Sequence, residues 1–214
     1  MARRSILSGQ VVGAIVGGVN ICLNAAAFIS ESNMTMLSGD GRCKTCDDSA
    51  NGFVRGEGWG VAILQASESE FVIMGTGVNH NGRSNGLTAP NGPSQVRLIK
   101  ESLRKGGLES NDISFLEAHG TGTSLGDPIE VQAVQQSYGM NRNSCLVIST
   151  AKTNIGHCET AAGIVGVLKA LLTMEKGVMT KHLHLNILNE YIGVELVEGM
   201  SCVIPNEQIE WNSK

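Results

Sequence analysis

One pattern, met three times between residues 71 and 176, limits what this chain can fold into: a short apolar run, a loop dense in polar residues and glycine, then a helical stretch. The runs are Phe71 to Val78, Ile113 to Ala118 and Cys145 to Thr150. The helices that answer them are Gln95 to Lys105, Pro128 to about Ser137, and Glu159 to Lys176, which closes at Gly177. Strands alternating with helices specify an α/β architecture with helices packed on sheets. Ile164, Val165, Leu168, Leu171 and Leu172 nearly ring the last helix, so it is expected to lie buried between layers.

The first 64 residues read differently. A helix ending at Ser8-Gly9 leads into a buried strand Val11 to Val16; Arg3 and Arg4 before an apolar run also suit a secretory signal, but Ser8, Gly9 and Gln10 interrupt it and the strand is preferred. A short helix at Ala25 to Phe28, a polar loop Ser38 to Gly52 and a strand closing Gly56 to Leu64 follow. The polar break Gln65 to Glu70 separates two units, 1–68 and 69–214.

With 42% hydrophobic and 17% charged residues in 214, the chain can bury a substantial core, which argues against disorder. A net charge of -4 gives no basic surface for nucleic acid, and no window holds the roughly 18 apolar residues of a membrane helix. The partners expected are proteins or small acyl substrates. Cys43 and Cys46 form a lone C-x-x-C in a polar loop, without the second pair or histidines of a zinc site or the helix start of a redox motif. All six cysteines are read as free thiols in a reducing cytoplasm, and no metal is expected.

Two of the repeated units carry a histidine just after their strand, in Glu117-Ala118-His119-Gly120-Thr121-Gly122-Thr123 and in Lys152-Thr153-Asn154-Ile155-Gly156-His157. Ligands bind at the carboxyl ends of strands in open α/β sheets, so both imidazoles should face one crevice. Neutral rings there can donate to an oxygen that gains negative charge. The charge of Lys152 would keep them neutral. For a single histidine so placed a structural loop cap is the better reading; two in equivalent positions reverse that order. His80, His182 and His184 lack that context and read as structural or surface residues. Asp127, Pro128 and Glu130 spell a helix start, with Asp127 as N-cap and Glu130 closing a capping box, and Glu130 can also pair with Lys152. The glycines at 120, 122 and 126 do not have dinucleotide spacing, and no P-loop lysine follows them. Thr121 and Thr123 suit hydroxyl donation to the polar arm of a thioester.

These segments, with Gly126-Asp127-Pro128-Ile129-Glu130, resemble the β-ketoacyl synthase family. Asn81 to Pro93 is similar to the form in type I polyketide synthases, and Gly17-Gly18-Val19-Asn20 and Val54-Arg55-Gly56-Glu57-Gly58 also fit. The resemblance runs to about Ile187. It implies a partial thiolase-like fold, layered αβαβα, from the end of one half and most of the other, and a dimer in the intact domain. It also implies a decarboxylative condensation of acyl and malonyl thioesters. The substrates are carried on the phosphopantetheine of an acyl carrier protein, with no resident cofactor. By the resemblance His119, His157 and Lys152 are catalytic, Glu130 and Asp127 support them, and Thr121 and Thr123 contact phosphopantetheine. The family's nucleophilic cysteine lies upstream of Gly17, and none of the six cysteines has its context, so this chain is expected not to condense alone. Cys46 stands where an aromatic residue is usual, and the link Gln65 to Glu70 is short. A malonyl-thioester decarboxylase and a non-catalytic module for carrier binding or dimerisation are the alternatives.

Overall fold

A computed structural model describes residues 1–82, 90–139, 142–197 and 200–211. Helix α1 (Ala2–Leu7) ends at Ser8, with Gly9 left-handed at φ 71°, and the chain then enters β1 (Gly13–Asn20). Helix α2 (Ala26–Asn33) and a long loop lead to β2 (Gly58–Gln65), which pairs antiparallel with β1 so that Ile15 faces Ile63 and Val19 faces Trp59. The second part runs α3 (Gly92–Gly106), β3 (Phe115–Glu117), α4 (Gly126–Tyr138), β4 (Leu146–Ser149), α5 (Lys152–Ile155), α6 (Ala162–Lys176), β5 (Val178–Met179), α7 (Glu190–Val197), β6 (Cys202–Val203) and β7 (Ile209–Glu210). Strands β3, β4 and β6 form a parallel sheet in which Glu117 is level with Ser149; β5 and β7 form a small antiparallel pair.

The alternation of β4 builds the core. Leu146 and Ile148 pack with Val134 and Tyr138 of α4 and with Met200, while Val147 on the opposite face meets Met179 and Trp211. Helix α6 touches β3 on one side and the β1–β2 hairpin on the other, so helices, parallel sheet, α6 and hairpin follow one another as layers. The hairpin comes close because Gly18 and Gly60 carry no side chain: a Cβ on Gly18 would lie 2.7 Å from the carbonyl oxygen of Thr160, and one on Gly60 2.8 Å from a methyl of Leu168.

Several expectations need correction. Residues 71–78 form no strand; Arg3 caps the carbonyls of Ile73 and Met74 instead, at 2.9 and 2.8 Å, and no neighbouring strand among the described residues offers them a ladder. The strand expected at Val11 to Val16 starts and ends later, and it is not buried: Ile15 is 77% exposed, because only the face toward α6 is covered. Helix α6 is itself half-buried, since its apolar ring exceeds the surface its neighbours cover. The loop Ser38 to Gly52 is polar yet runs inward, with Cys43, Thr45, Cys46 and Asp47 buried. Of Asn81 to Pro93, residues 83–89 lie outside the described residues. No helix of the described residues is long and apolar enough to cross a membrane.

Candidate active site

The parallel sheet brings the two histidine loops side by side, because β3 and β4 are neighbours in register and each loop leaves a carboxyl end. The rings of His119 and His157 stand edge to face with centroids 5.7 Å apart, and Phe53 packs against the other side of His157 at 5.1 Å. A crevice of about 340 Å³ opens beside them, lined by His119, Lys152, Gly156, Cys158 and the amino-terminal half of α6. Lys152 is 8% exposed, and among the described residues its ammonium has no hydrogen bond or ion pair. Burial lowers its pKa, with Glu130 and Glu117 opposing. Of the three residues expected to be catalytic, His119 and Lys152 line this crevice, while His157 packs against the ring of His119 without lining it.

Burial first, then the charge of Lys152, pushes the His157 imidazolium down to about pH 4 and lowers that of His119. Both rings are neutral near pH 7. Nδ1 of His157 accepts the backbone N–H of Glu159 at 3.0 Å, so the proton of the neutral ring sits on Nε2, which is left as a donor.

The two supporting carboxylates act otherwise than expected. Helix α4 begins at Gly126, with Leu125 as its N-cap residue, so Asp127 is already inside the first turn and is not the N-cap. Its oxygens take the N–H groups of Cys46 at 2.8 Å and Gly122 at 3.2 Å, and burial raises its pKa to about 6. Glu130 closes no capping box and forms no ion pair with Lys152; its oxygens accept from the backbone of His119 at 2.7 Å and Gly120 at 2.8 Å. Both carboxylates thus shape the loop that carries His119. Thr45 adds a hydroxyl donated to the Gly120 carbonyl at 2.7 Å. Thr121 and Thr123 lie on the α4 side of that loop, hydroxyls 3.4 Å apart, and Thr123 accepts from Gly126 N–H. They do not line the crevice.

A pair missed in the sequence borders the site, since Glu117 also lines the crevice. Glu117 accepts from Ala151 N–H at 2.6 Å and pairs with Lys169 at 2.8 Å, whose ammonium also donates to Ser149 Oγ at 2.5 Å. The signal was present: Lys169 is a lone charge in the apolar stretch Ala161 to Thr173, and such a charge needs a buried partner. His182 is fully buried beside Thr45, Cys46 and Gly120, in keeping with a structural residue.

Comparison with known sequences decides what this arrangement is. The family model for the β-ketoacyl synthase N-terminal domain matches residues 1–70, and that for the C-terminal domain matches residues 71–186. The chain belongs to the β-ketoacyl synthase family. It is 41% identical over 225 residues to a partially reducing polyketide synthase of Menisporopsis theobromae, covering 100% of this chain and 8% of that protein. It is 37% identical over 219 residues to an erythronolide synthase of Saccharopolyspora erythraea, covering 99% of this chain and 6% of the relative. A solved ketosynthase, from module 6 of the bacillaene synthase of Bacillus subtilis 168, superposes with a TM-score of 0.91 at 34% identity over 99% of this chain and 39% of that one. The layers described above are therefore part of the ketosynthase, thiolase-like fold, of the type I polyketide synthase kind, and this chain spans less than a tenth of the curated relatives it matches.

Proposed function

We propose that this chain carries the decarboxylation half of a ketosynthase site, acting on a malonyl thioester borne by the phosphopantetheine of an acyl carrier protein in the cytoplasm. The observation that carries the reading is the pair of neutral imidazoles in loops that follow adjacent strands, 5.7 Å apart, beside a crevice lined by His119 and by Lys152, whose ammonium has no partner among the described residues. The thioester carbonyl oxygen takes its place between His119 and His157. The bond to the carboxylate breaks, carbon dioxide leaves, and its electron pair moves onto the carbonyl as an enolate that the ring N–H groups stabilise. In the intact domain the enolate carbon attacks an acyl thioester on a cysteine and displaces the thiolate. Without that partner, a solvent proton gives the acetyl thioester. Burial and the charge of Lys152 keep the rings neutral, Asp127 and Glu130 hold the loop, and Thr121 and Thr123, outside the crevice, are assigned to the phosphopantetheine arm beyond the thioester. The two family matches, 1–70 and 71–186, support reading the chain as the end of one half followed by the other, divided within Gln65 to Glu70. Release of carbon dioxide from malonyl-pantetheine, followed by mass spectrometry, should fall at least about 100-fold in His157→Ala, the cost of losing one oxyanion donor. Equal rates in both proteins would sink the reading.

A second reading rests on the outer face of the hairpin, where Ile15, Val19, Trp59, Val61 and Ile63 are all exposed on one side of β1 and β2. An apolar face of that kind marks an association surface. In this reading the chain is a pairing module and its occupant is a second copy. Sedimentation should then give a dimer that Trp59→Ser with Ile63→Lys converts to monomer, whereas a monomeric parent removes the reading.

A further inference from the structure

The backbone of Glu159 is left-handed, with φ 40°, a conformation that is strained for a residue with a Cβ and persists only where its surroundings impose it. Two residues before it stands His157, whose Nδ1 receives the Glu159 N–H at 3.0 Å. The turn aims that N–H back at the ring. The side chain of Glu159 sits in a half-buried cluster of charges. Glu159 Oε1 lies 3.8 Å from Nη1 of Arg55 and makes no hydrogen bond of its own among the described residues, and Oε2 lies 3.9 Å from Nε2 of His157. Arg55 pairs with Glu31 of α2 and its guanidinium covers the ring of Phe28 at 5.2 Å. Its own backbone is clamped to the same histidine, since His157 N–H donates to Val54 at 2.7 Å and Gly56 N–H donates to the His157 carbonyl at 2.8 Å.

From this geometry we infer that Glu159 is a positioning residue for His157: its N–H fixes the ring proton on Nε2, and its carboxylate, held by Arg55 and through Arg55 by Glu31, keeps the strained turn that aims the N–H. At 3.9 Å the carboxylate is too far to hydrogen-bond Nε2 directly, so the donor stays free for a substrate oxygen. Burial first, then the charges of Lys152, His119 and Arg55, disfavours the imidazolium of His157, and the nearest carboxylate is that of Glu159 at 3.9 Å. Neither α2 nor Arg55 borders the crevice, yet the Glu159 side chain links both to the His157 ring.

The inference deepens the proposed role of His157 as an oxyanion donor, and its test is read without turnover. Long-range proton–nitrogen spectra of the ¹⁵N-histidine-labelled 214-residue chain should show His157 as the Nε2–H tautomer alone at pH 7. Glu159→Ala keeps the N–H and the Cβ that strains the positive φ but removes the carboxylate, so His157 should become a mixture of both tautomers, whereas Glu159→Gly, which relieves the strain, should keep the Nε2–H form. A purely structural ion pair would give lower stability in Glu159→Ala with the tautomer kept. Glu31→Gln, on α2 and remote from the ring, should mix the tautomers in the same direction, and Glu159→Asp, which retains the charge, should keep most of the Nε2–H form. The inference fails if the parent ring carries Nδ1–H, or if Glu159→Ala and Glu31→Gln both leave the Nε2–H form pure. Loss of the pure tautomer in a chain that decarboxylates nothing would support the inference while removing the proposed reaction.

Discussion

Glu130 places one carboxylate oxygen on each of two successive backbone N–H groups, those of His119 and Gly120. Charge-assisted bonds of this kind fix a loop more firmly than neutral ones. An amide in its place offers one acceptor and a donor that faces an N–H, so Glu130→Gln should unseat one end of the loop. The expected result is a loss of about 1–3 kcal/mol in stability by urea denaturation, with a fall in malonyl-thioester decarboxylation of roughly ten- to a hundredfold, the usual cost of removing a group that orients a functional ligand. Decarboxylation retained in full would show that the loop holds its shape without the second bond. The histidines could be found from sequence because the carboxyl end of a strand is a chemical address that does not depend on detail. The job of Glu130 could not. Asp127-Pro128-Ile129-Glu130 fits a capping box by spacing, but the helix begins at Gly126, which turns both carboxylates toward the His119 and Cys46 loops.

At the scale of elements, the same contrast has physical causes. Apolar period and glycine stops were enough to place α3, α4 and α6 and the strands β2, β3 and β4 to within a few residues, since those signals are local. Residues 71–78 have the composition of a strand but no strand, because a ladder needs a second chain segment and composition says nothing about who supplies it. Helix α6 was legible as a helix and misjudged in burial for the same reason: its ring of apolar residues states how much surface wants cover, whereas its neighbours, the β1–β2 pair, β3 and β5, determine how much gets it. The polar loop Ser38 to Gly52 fails in the opposite sense. Its Thr45 and Asp47 are buried because their oxygens bond backbone groups, Thr45 the carbonyl of Gly120 and Asp47 the N–H groups of Asn186 at 2.7 Å and Ile187 at 3.1 Å, and polarity alone does not distinguish a solvated loop from one so satisfied.

For the molecule as a whole, the buried titratable groups around the site set how stability responds to acid. His157 and His182 each have a folded pKa of about 4 against 6.5 in an unfolded chain, both chiefly through burial. Between those values the unfolded chain takes up a proton that the native protein refuses, so each imidazole removes stability as pH falls, about 1.4 kcal/mol per pH unit. Asp127 works the other way. Its pKa of about 6 against 3.8 means that the native state binds a proton first, which adds stability on acidification through the same range. His119 and His184 are shifted in the sense of the two imidazoles, and Glu117 and Glu159 in the sense of Asp127, all by lesser amounts. Two protons lost against one gained leaves a net loss of one, or about 3 kcal/mol between pH 6 and 4. Urea unfolding at pH 7, 6, 5 and 4.5 should trace that decline. His182→Asn removes one of the two imidazoles without touching the crevice, so its stability should be nearly flat below pH 6. A variant that keeps the parent's slope would place the acid sensitivity elsewhere, and a parent that gains stability below pH 6 would mean that the carboxyls, not the buried rings, dominate the site.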